Sequence, residues 1–134
     1  MSDIKIAEKA ITTVLIIEDE GDTSFLLSTI LKNDRFRIEQ VNTMAQAATF
    51  LEAEGPDLVF LDNHLPDGLG VNYIEFIKDR YPESKIVMIT SHGSSSDRKK
   101  AMNKGADIFL AKPFTREQIG NAVAELVGSV GKKN

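Results

Sequence analysis

Five short apolar runs recur along the chain, at residues 14–17, 36–41, 58–61, 86–89 and 108–111, and four of them are apolar throughout. Uninterrupted apolar runs of this length read as strands buried on both faces of a parallel sheet. The run at 36–41 alternates instead, with Phe36 and Ile38 set against Arg37 and Glu39. One solvated face suits an edge strand. Parallel strands need long crossovers, and helical patterns fill the gaps. Leu26, Leu27, Ile30 and Leu31 share one face, as do Met44, Ala47, Ala48 and Leu51 behind a capping box of Thr43 and Gln46. Val71, Ile74 and Ile77 mark a third helix that ends before Pro82. Thr115 and Gln118 open the last, whose stripe is Ile119, Ala122, Val123, Leu126 and Val127. The fourth is expected over residues 94–104, where only Ala101 and Met102 are apolar and Arg98, Lys99 and Lys100 form a basic run. A helix with so little to bury is predicted to be the loosest of the five.

Strand and helix alternate five times, which predicts a doubly wound α/β sandwich with right-handed crossovers. At 134 residues, 42% hydrophobic and 27% charged, the chain suits one domain with one core. The expected division is a polar leader at 1–12, the domain at 13–127 and a Gly/Lys tail at 128–134. A net charge of −4 argues against a nucleic-acid surface, and no apolar run approaches membrane-spanning length. The polar start lacks the apolar centre of a signal peptide, which leaves the cytoplasm as the default location. With no cysteine, thiolate chemistry and disulfides are excluded.

In open α/β sheets ligands bind beyond the carboxyl ends of the strands. The residues that end these strands are all polar or charged. Glu18, Asp19 and Glu20 follow the first, and Asp62, His64 and Asp67 the third; Thr90, Ser91 and His92 follow the fourth, and Lys112 the fifth. Clustered carboxylates repel unless a cation sits among them, and hard oxygen ligands favour Mg²⁺. A lysine and a threonine opposite such a metal supply what a phosphoryl group needs for its remaining oxygens. The residues therefore point to metal-assisted phosphoryl transfer onto a carboxylate.

These segments resemble the receiver domains of two-component response regulators, in their single-domain, chemotaxis-regulator-like form. The matches are the run 14–20 ending in Glu18-Asp19-Glu20, Leu61 to Gly68, Ile89-Thr90-Ser91, Gly105-Ala106-Asp107 and Lys112-Pro113-Phe114. The resemblance implies a flavodoxin-like sheet of order 2-1-3-4-5. It implies Asp62 as phosphoacceptor, with Mg²⁺ (or Mn²⁺) held by Asp19, Asp62, the backbone carbonyl of His64 and, through water, Glu18. Lys112 would pair with Asp62 and then with the phosphoryl group, Thr90 would follow the phosphoryl oxygen, and Phe109 fills the place of the aromatic switch. The donor would be a sensor histidine kinase or a histidine phosphotransfer protein. The signal would pass to a downstream protein partner through the surface of helix 4, strand 5 and helix 5, with no membrane or direct DNA contact. A switch of this kind is not an enzyme in the ordinary sense, since it promotes only its own phosphorylation and dephosphorylation.

His64 and His92 lie two residues beyond Asp62 and Thr90 and are candidates for tuning hydrolysis of an acyl phosphate. Other readings of the residues are an aspartyl-nucleophile phosphohydrolase, a flavodoxin-like cofactor binder and a degenerate receiver used only as an interaction module. The acidic first loop, poor in the Gly, Ser and Thr of a phosphate cradle, speaks against the cofactor binder.

Overall fold

The computed structural model describes residues 11–91 and 93–128. Five strands, β1 (Thr12–Ile17), β2 (Phe36–Val41), β3 (Leu58–Asp62), β4 (Lys85–Thr90) and β5 (Ile108–Ala111), form one parallel sheet of order β2-β1-β3-β4-β5. The expected order is the one found. β1 starts earlier than its apolar run, because the Thr12 N–H donates to the Arg35 carbonyl at 2.7 Å. Thr12 therefore belongs to the sheet and not to a leader. Residues 1–10 and the tail beyond 128 lie outside the described residues.

Helices α1 (Gly21–Leu31), α2 (Met44–Ala53), α3 (Ile74–Arg80) and α4 (Ser95–Lys104) fill the four crossovers, and α5 (Arg116–Val123) follows β5. A 3₁₀ turn, Gly70–Tyr73, leads into α3, and a π-helical turn, Ala124–Gly128, continues α5. The sheet separates two apolar layers. Leu15, Ile17, Val59, Leu61, Ile86 and Met88 pack against α2, α3 and α4, while Val14, Ile16, Phe60, Val87 and Ile89 pack against α1 and α5. Alternate residues of the inner strands thus feed opposite layers, which is why both must be apolar.

The helix stripes hold with one correction. In α1 the sheet buries Leu27 and Leu31, but Leu26 is 43% exposed and faces away from the core. A helix seated on a flat sheet buries only a narrow stripe, and Ser24 occupies the position one turn before Leu27. The α5 capping box closes in both directions, Thr115 and Gln118 each bonding the other's backbone. At α2 it closes in one direction: Thr43 accepts from the Gln46 N–H, while Gln46 reaches past Thr43 to the Asn42 N–H at 2.6 Å. In α4 only Ala101 is buried, in keeping with its polar sequence.

Candidate functional site

The strand register aligns the chemistry. Ile17 pairs with Leu61, Asp62 with Ile89, and Thr90 with Ala111, so Glu18, Asp62, Thr90 and Lys112 emerge along one rim. Around them lies an open depression of about 310 Å³ bounded by Asp19, Glu20, Asp62, His64, Ser91 and Lys112. The Lys112 ammonium lies 3.0 Å from Glu18 Oε1, 3.0 Å from Glu20 Oε1 and 3.3 Å from Asp62 Oδ1. Ligand oxygens from Glu18, Asp19 and Asp62 all fall within 4.8 Å of one another. Thr90 is buried, and its hydroxyl lies 3.5 Å from His64 Nδ1.

Burial sets the electrostatics. Glu18 is fully buried and Asp62 is 3% exposed. Desolvation pushes both carboxyls above their usual range, against the pull of Lys112 and of the N–H groups of Glu20 and His64. Burial alone would lower the Lys112 pKa, but contact with Glu18 and Glu20 and the charge of Asp62 outweigh it and raise it instead. One ammonium thus serves a rim that holds four carboxylates. Glu18 Oε1 is buried with no hydrogen bond, because Lys112 lies close to it but off the line of one. An orphaned carboxylate oxygen beside two further oxygen donors fits a hard divalent cation such as Mg²⁺.

A family model for the response regulator receiver domain matches residues 14–124. The chain belongs to that family. Among curated relatives, the KDP operon transcriptional regulatory protein KdpE of Escherichia coli K12 is 36% identical over 105 residues, which cover 77% of this chain and 45% of that protein. The chain spans less than half the length of that relative. Among solved structures, the signal receiver domain ascribed to a Luxo repressor protein of Vibrio parahaemolyticus is 28% identical with a TM-score of 0.83, covering 92% of this chain and 95% of its own. The beryllofluoride-activated NtrC4 receiver domain dimer is 34% identical with a TM-score of 0.82, covering 87% and 97%.

In this receiver the structure brings together Glu18, Asp19, Asp62, Thr90, His64 and Lys112. Phe109 stands apart on β5, 93% buried in the core layer beneath α4. With Thr90, Val71, Met88 and Ala101 it lines a small cavity of about 60 Å³. His92 lies outside the described residues. The basic run is exposed on α4, with Arg98 turned toward β5.

Four residues around the site make contacts that the sequence reading did not assign, although Glu20 and Asp67 stand among the strand-end residues it named. Glu20 hydrogen-bonds Lys112 across the mouth; its position beside Glu18-Asp19 was the available signal. Asn63 shapes the loop after Asp62: its carbonyl accepts from Gly70 at 2.7 Å and its Oδ1 from Val71 at 2.9 Å. A side chain on Gly70 would place its Cβ 2.3 Å from the Asp62 carbonyl, so only glycine lets the loop close there. Asp67 reaches across to α2 and accepts from the Met44 and Ala45 N–H groups, both at 3.0 Å. Contacts this distant in sequence leave no local pattern.

Proposed function

We propose that this receiver is a phosphorylation switch that takes a phosphoryl group from a phosphohistidine onto Asp62. The reading is carried by one observation: Asp62, Asp19 and Glu18 converge within 4.8 Å, with the Lys112 ammonium 3.3 Å from Asp62. A carboxylate oxygen of Asp62 attacks phosphorus, the P–N bond breaks, and the departing imidazole takes up a proton. Asp19, Asp62, the His64 carbonyl and, through water, Glu18 would hold Mg²⁺ or Mn²⁺. The metal would supply charge neutralisation for the phosphoryl oxygens. Lys112 neutralises a further oxygen, and the Thr90 hydroxyl, turning from His64, meets the next. His64 stands at the mouth, placed to influence the water that hydrolyses the acyl phosphate, and His92 is a candidate for the same role.

The donor is a sensor histidine kinase or a histidine phosphotransfer protein. Occupation of Asp62 draws Thr90 inward, and Phe109, which shares a cavity with Thr90, passes the change to α4, β5 and α5. A downstream protein reads that surface, in the cytoplasm. Beryllofluoride mimics an acyl phosphate, and activation of the 34% identical NtrC4 receiver by it supports this reading. The test is treatment with acetyl phosphate or beryllofluoride, with and without Mg²⁺, beside Asp62→Asn. Metal-dependent modification lost in the variant is expected; modification that survives Asp62→Asn sinks the assignment.

A further inference from the structure

We propose that Glu20 is a latch on Lys112: a positioning residue that holds the ammonium at the mouth of the site and must release it when a phosphoryl group arrives. The proposal rests on the phosphoacceptor reading of Asp62. Three carboxylates surround the ammonium, and they are not equivalent. The Glu18 side chain is fully buried and that of Asp62 is 5% exposed, whereas that of Glu20 is 62% exposed. Yet the well-formed hydrogen bond runs to the exposed partner, Glu20 Oε1, at 3.0 Å.

Glu20 is held for this task by α1. It stands at the N-cap of the helix, and its carbonyl accepts from the Ser24 N–H at 3.0 Å. Its N–H donates to Glu18 Oε2 at 3.0 Å, and its Oε1 also receives the Thr23 hydroxyl at 3.3 Å. The carboxylate therefore faces the rim and leaves the cap itself unfilled. Its ordinary pKa is lowered by Lys112, as a charge-assisted contact requires.

An ammonium has three N–H donors. A phosphoryl oxygen on Asp62 needs one of them. Withdrawing the ammonium from Glu18 or Asp62 would strand a buried charge, which is costly. Withdrawing it from Glu20 costs little, because water replaces the lost partner. Glu20 is thus the partner that yields, and in the unphosphorylated receiver it competes with the incoming group for Lys112.

Glu20→Gln keeps the shape and removes the charge. Asp22→Asn removes an equal charge from the first turn of α1 without touching Lys112, and serves as control. Beryllofluoride binding is measured by titration at saturating Mg²⁺ for wild type, both variants and Asp62→Asn, together with the Lys112 Cε–H resonances of the ligand-free proteins. Glu20→Gln is expected to bind beryllofluoride about three- to fivefold more tightly, the scale of an exposed ion pair. Asp22→Asn should stay within about twofold of wild type, and only Glu20→Gln should move the Lys112 resonances. Equal affinity in Glu20→Gln and wild type, equal tightening in Asp22→Asn, or an unmoved Lys112 signal overturns the latch alone. Binding by wild type that persists in Asp62→Asn, or no binding by any of the four, overturns the phosphoacceptor reading and the latch with it.

Discussion

Arg98 lies over the ring of Phe109, its guanidinium carbon 6.0 Å from the centroid, and donates to the Phe109 carbonyl at 3.4 Å. The pair clasps α4 to β5 where little else does, since Ala101 is the one buried residue of that helix. The aromatic ring of the proposed switch is therefore in contact with the most polar helix of the fold.

Arg98→Ala removes both contacts at once. Amide exchange in α4 should quicken relative to α5, while global stability falls by no more than about 1 kcal/mol, the scale of an exposed cation–π pair. Hydrogen exchange followed by NMR reads both quantities. Unchanged protection in α4 would show that the helix is held by something other than this residue.

Asp67→Ala should lower the unfolding midpoint and do so in a pH-dependent way. The Met44 and Ala45 N–H groups hold the Asp67 carboxyl below its usual range, and the α2 dipole favours the same charge. A depressed folded pKa stabilises above the ordinary carboxylate value, about 3.9, and the benefit is lost as pH falls through the folded value. The gap between wild type and variant is thus full at neutral pH and closes in acid. A gap constant from neutral pH down to about pH 3 would exclude the charge as its cause.

Four of the strands and the convergence of Glu18, Asp19, Asp62 and Lys112 were legible in sequence because they lie in or just after uninterrupted apolar runs, and β2 was legible from its alternation. Such runs place their own ends, and parallel pairing then places the ends together. Leu26 was misread because periodicity gives the phase of a helix but not the width of the face it buries. Asp67 on α2, 22 and 23 residues from its partners, and Glu20 on Lys112, 92 residues away, depend on loop geometry that no local pattern encodes.

If Mg²⁺ is held as proposed it should stabilise the receiver, because the carboxylate rim exists in the folded chain and not in separated chain segments. At about 100-fold over its dissociation constant the gain is about 2.7 kcal/mol. Asp19→Asn, which removes an exposed oxygen donor without disturbing the buried pair, should abolish most of it. Calorimetric melts across a Mg²⁺ series measure this. A variant that responds as strongly as wild type would place the ion elsewhere.

Lys112→Met asks what the ammonium does for the fold itself. It leaves Glu18 and Asp62 buried with no cation between them, and burial already raises both pKa values. Without Lys112 they rise further. A raised carboxyl costs nothing below its ordinary pKa, near 4, and its penalty grows as pH climbs toward the folded value. The variant should therefore match wild type most closely in mild acid and fall behind as pH increases. At pH 8 the deficit is about 2 kcal/mol, less than for a fully enclosed pair because the rim opens to solvent. Mg²⁺ should restore part of it by taking over the neutralising role. Denaturant midpoints at pH 5 and pH 8, with and without the ion, give four numbers and one sign pattern. A deficit that is largest at pH 5, or one that Mg²⁺ deepens, would mean that Lys112 is not the counter-charge of this rim.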